Sequence, residues 1–227
     1  MIQLLISVTS IEEAQMALEN GADIIDLKDP SKGALGALPL LQIQTVVDYV
    51  NRVKQDQVMT SATIGDLPMQ PDLIVQQVRL LVNTKVDIVK IGFFEADNYQ
   101  PCLDALLSFT QAGVKLIAVL FAEHTYASGL IEAIKKAGFM GVMLDTAEKN
   151  GLTLLNHYSE LERNFFSEHV LALDLSFGLA GSLRLHHVEM LKKLSPTYIG
   201  FRGGVCNDNL RELSLDPGKI KAISNIL

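Results

Sequence analysis

Short apolar runs alternate with amphipathic helical stretches from one end of this 227-residue chain to the other, and that alternation restricts the fold more than any single residue does. Strand-like runs read over residues 2–8, 22–28, 58–64, 87–92, 114–121, 140–145, 170–176 and 198–203. Helical periodicity fills the spaces between them, over about 11–20, 39–55, 74–82, 100–112, 128–137, 153–167, 182–194 and 217 onward. Ser10 with Glu13 makes a capping box at the first helix, and Gly21, Gly113 and Gly138 each end a helix just before a strand. Eight such units average about 28 residues each, compact but sufficient for a parallel (β/α)8 TIM barrel. No Pro/Ser-rich linker interrupts them, so residues 1–227 read as one α/β domain. A doubly wound open sheet is the competing architecture, but Ser7-Val8-Thr9-Ser10 after the first strand cannot serve as a dinucleotide-binding turn.

Composition excludes several function classes. Hydrophobic residues make up 48% of the chain, enough for a large core, and the net charge of −7 argues against a nucleic-acid or anionic-membrane surface. Cys102 and Cys206 lie far apart without CxxC spacing, which points to a reducing cytoplasmic setting and not to a zinc site or disulfide scaffold. The opening MIQLLISVTS lacks a basic n-region and reads as a strand, and no run approaches a membrane span. A homo-oligomer of barrels joined through outer helices is expected, although no helix face stands out as an apolar patch.

Within GADIIDLKDPSKGALGAL, residues 21–38, two charges interrupt an otherwise buried strand. Side chains alternate along a strand, so Asp26 and Lys28 share one face while Ile25 and Leu27 share the other. Lys90 sits likewise between Val89 and Ile91 in DIVKIG. Barrel chemistry gathers at the carboxyl ends of the strands, and the polar residues expected there include Ser7, Asp26, Lys28, Ser61, Thr63, Lys90, Glu123, His124, Asp145, Lys149, Asp174, Ser176 and Arg202. An amine attacks a carbonyl only when neutral; desolvation and a second cation favour that form, whereas neighbouring carboxylates favour the ammonium. The pattern therefore suits one lysine as an imine-forming nucleophile and the other as an acid/base, and leaves open which is which.

Two Gly-rich loops follow strands seven and eight, where barrels commonly bind phosphate through backbone N–H groups. They nominate Gly178, Gly181, Ser182, Arg202, Gly203 and Gly204 as a phosphate site, with Lys32 and Gly33 covering a second anion. Asp26, Asp145 and Asp174 could in principle hold Mg²⁺, but lysines beside them would compete with the ion, so no metal or other cofactor is expected. His157, His169, His186 and His187 read as surface residues.

The stretches GADIIDLKDPSKGALGA, SATIGD, VKIG, VMLDTAEKNGLTL, LAGSL and IGFRGGVC, in order between residues 21 and 206, resemble those of the (5-formylfuran-3-yl)methyl phosphate synthases. That resemblance implies a parallel α/β barrel similar in logic to class I aldolases. It also implies condensation of two glyceraldehyde 3-phosphate molecules into a furan aldehyde phosphate, with loss of phosphate and water, in methanofuran-type cofactor biosynthesis. By the same resemblance Lys28 matches the Schiff-base lysine and Lys90 the proton-transfer lysine. Asp26, Asp145 and Lys149 match the remaining acid/base groups. Asp29 stands where asparagine is expected, and Gly204 replaces a small alanine. Another aldolase-like barrel acting on sugar phosphates is the alternative; a D-x-K-x-x-D decarboxylase motif fails because Ser31 occupies its last position. A non-catalytic metabolite-sensing barrel is the reading from a different class.

Overall fold

A computed structural model of the chain describes residues 1–53, 58–148 and 150–227. Eight parallel strands close in sequence order into one barrel: β1 Gln3–Val8, β2 Ile24–Leu27, β3 Met59–Thr63, β4 Ile88–Gly92, β5 Lys115–Phe121, β6 Gly141–Asp145, β7 Ser176–Leu179 and β8 Tyr198–Phe201. The single-domain (β/α)8 reading is therefore correct. The larger helices are α1 Ile11–Glu19, α2 Leu40–Val53, α3 Pro71–Asn83, α4 Gln100–Gln111, α5 Leu130–Lys136, α7 Glu160–Ala172 and α9 Pro217–Ser224; α6 Leu154–His157 and α8 Val188–Lys192 are short. The expected end of the second helix near residue 55 lies outside the described residues.

Two apolar clusters reflect the alternation of side chains. Outward strand residues such as Ile6, Ile25, Val89, Leu144 and Ile199 pack under the helices with Val47, Val78, Leu106 and Ile220. Inward residues Leu5, Ile24, Ile88, Ile117, Met143 and Tyr198 fill the barrel itself. All of these are at most 3% exposed, and burial of this extent is the main source of stability. Gly21, Gly113 and Gly138 take the positive φ that ends α1, α4 and α5.

Three sequence expectations shift. The helix expected over 153–167 is two, because Tyr158 is extended between α6 and a second capping box, Ser159 with Glu162, that starts α7. Helix α7 then absorbs Val170 to Ala172, which had read as strand seven. Asp174 adopts a left-handed φ of 52° before β7, so the strand begins at Ser176 and includes the Phe177-Gly178-Leu179 that had read as loop. The helix expected over 182–194 is reduced to a 3-10 turn, Leu185–His187, and α8.

Candidate active site

Ser7, Asp26 and Ser61 are register neighbours on β1, β2 and β3, and all point into the barrel above the inward apolar layer. Ser7 Oγ donates to Asp26 Oδ2 at 2.9 Å and Ser61 Oγ to Asp26 Oδ1 at 2.6 Å. Lys90 Nζ reaches across from β4 to within 2.7 Å of Asp26 Oδ1. Asp26 is wholly buried and Lys90 is 2% exposed. Burial by itself would raise the Asp26 pKa; the charges of Lys90 and Lys28 and the bonds from Lys90 and Ser61 outweigh it and hold the carboxyl below its usual range. Lys28, one residue past β2, is 7% exposed. Its backbone N–H extends the β1–β2 ladder to Val8 O at 3.2 Å, which fixes where its side chain begins.

Asp145 ends β6, buried, with Thr146 N donating to its Oδ1 at 2.7 Å. One cavity of about 310 Å³ is lined by Ser7, Asp26, Lys28, Lys90 and Asp145 together with the loops after β7 and β8. Four of the five residues matched to acid/base or nucleophile roles therefore face the same space; Lys149 lies outside the described residues. The Tyr198 hydroxyl is buried deeper in the barrel without a hydrogen-bond partner in the described structure, and burial, with the nearby Asp26 charge, pushes its pKa up.

The expected phosphate residues divide. Gly181, Ser182, Gly203 and Gly204 line the cavity. Gly178 does not: with β7 starting later than expected, it sits inside the barrel, where a Cβ would lie 2.3 Å from the Tyr198 ring. Arg202 lines the cavity, but all five of its N–H donors are directed at protein acceptors. They bond Arg211 O, Ser7 O, Leu213 O and both oxygens of Glu13, the last at 2.6 and 3.1 Å. That geometry makes Arg202 a tie from the end of β8 to β1, α1 and the loop that follows β8. Gly204 approaches the neighbouring loop so closely that a Cβ would stand 2.2 Å from Leu183 O.

Arg184 and Arg211 also line the cavity, and neither was singled out from the sequence. Arg184 directly follows the LAGSL stretch, which was a usable signal; Arg211 lies in NDNLRELSLDPG, where no pattern marked it. Arg211 Nη2 donates to Gly33 O at 2.8 Å, linking the loops after β8 and β2. Burial lowers its pKa, opposed first by the charge of Asp145.

Several candidates go elsewhere. Asp174 is in the turn before β7, with its carbonyl accepting from Lys135 Nζ, and Ser176 starts the strand, so both are at the amino end of the sheet. Asp174 therefore cannot join Asp26 and Asp145 around a metal ion. Lys32 pairs with Asp29 at 3.0 Å, and Asp29 also accepts from Ser31, so Asp29 organises its own loop. Neither Lys32 nor Gly33 is among the residues facing the cavity. Glu123 and His124 line a separate groove on the outer side of the barrel. His157 and His169 border that groove as well, and His186 lies beside α9 in another surface depression.

A closed (β/α)8 barrel with two buried lysines and two buried carboxylates facing one cavity at the carboxyl end of its sheet has the architecture of a barrel enzyme. The profile of the 4-HFC-P synthase family matches residues 4–224, and the chain belongs to that family of synthases. A relative from Methylorubrum extorquens named putative (5-formylfuran-3-yl)methyl phosphate synthase is 38% identical over 220 residues, covering 96% of this chain and 88% of its own. The (5-formylfuran-3-yl)methyl phosphate synthase of Methanococcus aeolicus is 30% identical, covering 90% of each. Among solved structures, phosphoribosyl anthranilate isomerase from Thermus thermophilus matches with a TM-score of 0.68 at 15% identity, covering 99% of this chain and 97% of its own. The 3-hexulose-6-phosphate synthase from Salmonella typhimurium matches with a TM-score of 0.66 at 14% identity, covering 100% and 98%. At that identity the likeness is one of fold alone. Among the described residues, no helix is long and apolar enough to cross a membrane.

Proposed function

We propose that this chain condenses two molecules of glyceraldehyde 3-phosphate into (5-formylfuran-3-yl)methyl phosphate, releasing one phosphate and two waters, through an imine on Lys28. The observation that carries this reading is the convergence of Lys28, Lys90, Asp26 and Asp145 on one cavity in a member of the 4-HFC-P synthase family. Names of relatives supply the product, and the atom balance supplies the two waters. A place in methanofuran-type cofactor biosynthesis and a cytoplasmic location belong to the same reading.

The division of labour between the lysines is the one the family match implies, and the geometry supports it. Lys90 Nζ is bound to Asp26 at 2.7 Å and is almost wholly buried, which suits it to hold and return a proton. Lys28, past the end of β2, is assigned the attack on the aldehyde carbon. Its nitrogen forms the C–N bond, the carbonyl oxygen leaves as water, and removal of an α-proton turns the adduct into a carbon nucleophile for the second triose. A water returns at the end to break the C–N bond and free the aldehyde product. Asp145, which lines the same cavity, is assigned the exchange of protons as hydroxyl and phosphate leave and the ring becomes aromatic. Lys149 is assigned to the same acid/base set from its family match. Backbone N–H groups of Gly181, Ser182, Gly203 and Gly204 take the phosphate, with Arg184 and Arg211 adding charge.

Borohydride reduction in the presence of glyceraldehyde 3-phosphate tests the mechanism. Peptide mapping is expected to find the adduct on Lys28, with Lys28→Ala losing it and Lys90→Met retaining it. No adduct on Lys28 in the wild-type protein removes the imine route. Formation of a pentose or hexose phosphate without an aromatic aldehyde absorbance would favour an ordinary aldolase.

A further inference from the structure

Glu123 stands two residues past the end of β5, where the inward alternation through Ile117, Val119 and Phe121 would carry it into the barrel. The chain turns first, with His124 N bonding back to Phe121 O at 3.0 Å, and the carboxylate emerges behind the active site. There it accepts two adjacent backbone donors, Ala147 N at 2.9 Å on Oε2 and Glu148 N at 3.0 Å on Oε1. These amides belong to the residues that directly follow Asp145 and Thr146. Thr146 N in turn holds Asp145 Oδ1 at 2.7 Å, and Ala122 N holds Asp145 O at 2.9 Å. His157 Nε2 lies 3.8 Å from Glu123 Oε1. Only 15% of the Glu123 side chain is exposed, so water replaces little of what it supplies to those amides.

We propose that Glu123 is a positioning residue of the reaction: its carboxylate clamps the 146–148 backbone from outside the cavity and so sets the direction in which Asp145 presents its oxygens to substrate. The proposal rests on the role given to Asp145 above. A carboxylate accepts at both oxygens; an amide accepts at one and presents N–H to the other donor. Glu123→Gln therefore keeps the volume and breaks the clamp. A misdirection of the catalytic group by a fraction of an ångström to 1 Å lowers turnover on the order of tenfold to a hundredfold.

The test compares wild type, Glu123→Gln, Glu123→Asp and Glu132→Gln. Glu132 is a second carboxylate in the same outer groove, bonded to His169 at 2.9 Å and remote from the loop. Three readouts are taken: kcat and KM with glyceraldehyde 3-phosphate, Tm, and backbone amide exchange of the peptide spanning 144–150. Glu123→Gln is expected to lose at least tenfold in kcat with KM within twofold, to keep Tm within a few degrees, and to exchange faster at Ala147 and Glu148. Glu123→Asp, which keeps both acceptors on a shorter stem, recovers part of the kcat loss, and Glu132→Gln behaves as wild type. Unchanged exchange in Glu123→Gln overturns the proposal, as does a kcat loss matched by Glu132→Gln or accompanied by a collapse in Tm. If wild type makes no furan product, the proposed function fails instead, and the exchange comparison still decides whether Glu123 holds the loop.

Discussion

Asp26 is the residue on which the interior polar groups converge, and most of its role was legible from a two-residue spacing. Alternation along a strand placed Asp26 and Lys28 on one face, and both indeed face the cavity. The contact with Lys90 was not legible, because it depends on how β4 is staggered against β2 across β3. In that register Lys90 pairs with Thr63 while Asp26 pairs with Ser61. A carboxylate held below its usual range contributes stability that is complete above the unfolded-state value of about 3.9. That contribution disappears as the pH falls through the lower native value. Removing only one partner leaves a buried charge uncompensated, so Asp26→Asn is expected to cost roughly 3–5 kcal/mol. Adding Lys90→Met should recover at least half of that loss, since the double variant buries neither charge. Urea unfolding at pH 7 and near pH 3 measures both effects: the double variant lacks the Asp26 share of the acid loss seen in wild type. A single variant as stable as the double one would show that the ion pair does not determine how the site is held.

Elements were read well where glycine or a capping box marked a boundary and poorly where the chain relied on a later break. Strand β7 is the clearest case. Val170 to Leu175 is apolar enough for either assignment, and the capping box at Ser159 and Glu162 propagates α7 through it. The left-handed turn at Asp174 then resets the chain, a feature that apolar periodicity does not carry. That displacement moved Gly178 from a loop into the barrel and left the cavity to Gly181 and Ser182. Arg202 shows the complementary error: its position at the end of β8 was right, but sequence cannot show that Glu13 and three carbonyls occupy its donors. Arg202→Ala is accordingly expected to destabilise the fold by roughly 3–5 kcal/mol, because Glu13 is left half-buried without its cation. Arg184 is exposed and makes no such tie among the described residues, so, on the proposed function, Arg184→Ala should leave Tm within a degree or two while raising KM for glyceraldehyde 3-phosphate severalfold. Thermal melts beside steady-state kinetics separate the two. A Tm unchanged by Arg202→Ala with a large rise in KM would return Arg202 to the phosphate site.

At the scale of the whole barrel, the cavity occupies one side of the mouth because the other side is filled. The loop after β2 folds inward and buries Ala34 and Leu35, the latter with no exposed surface, against Phe94 and Phe121. Asp66 fixes this plug by accepting Ala34 N at 2.9 Å and Leu35 N at 2.7 Å, and Arg211 reaches over to Gly33 O. Gly92 at the end of β4 makes room for it, since a Cβ there would stand 2.8 Å from Leu35 Cδ1 and 2.7 Å from the Phe94 ring. KGALGA read as a loop rich in small residues, with nothing to show that its central leucine belonged to the interior; only closure of the barrel brings β2, β4 and β5 around it. The plug thus makes a loop residue part of the core and leaves the cavity to the half bounded by β6, β7, β8, β1 and β2, which the Lys90 side chain enters from β4. Leu35→Ala should therefore behave as a core truncation, costing about 2–5 kcal/mol, whereas Leu35→Met, which conserves volume, should cost less than about 1.5 kcal/mol. Urea unfolding of both variants decides the matter. A Leu35→Ala protein within about 0.5 kcal/mol of wild type, the usual range for an exposed position, would mean that the loop lies over the barrel without closing it, and that the mouth is open on both sides.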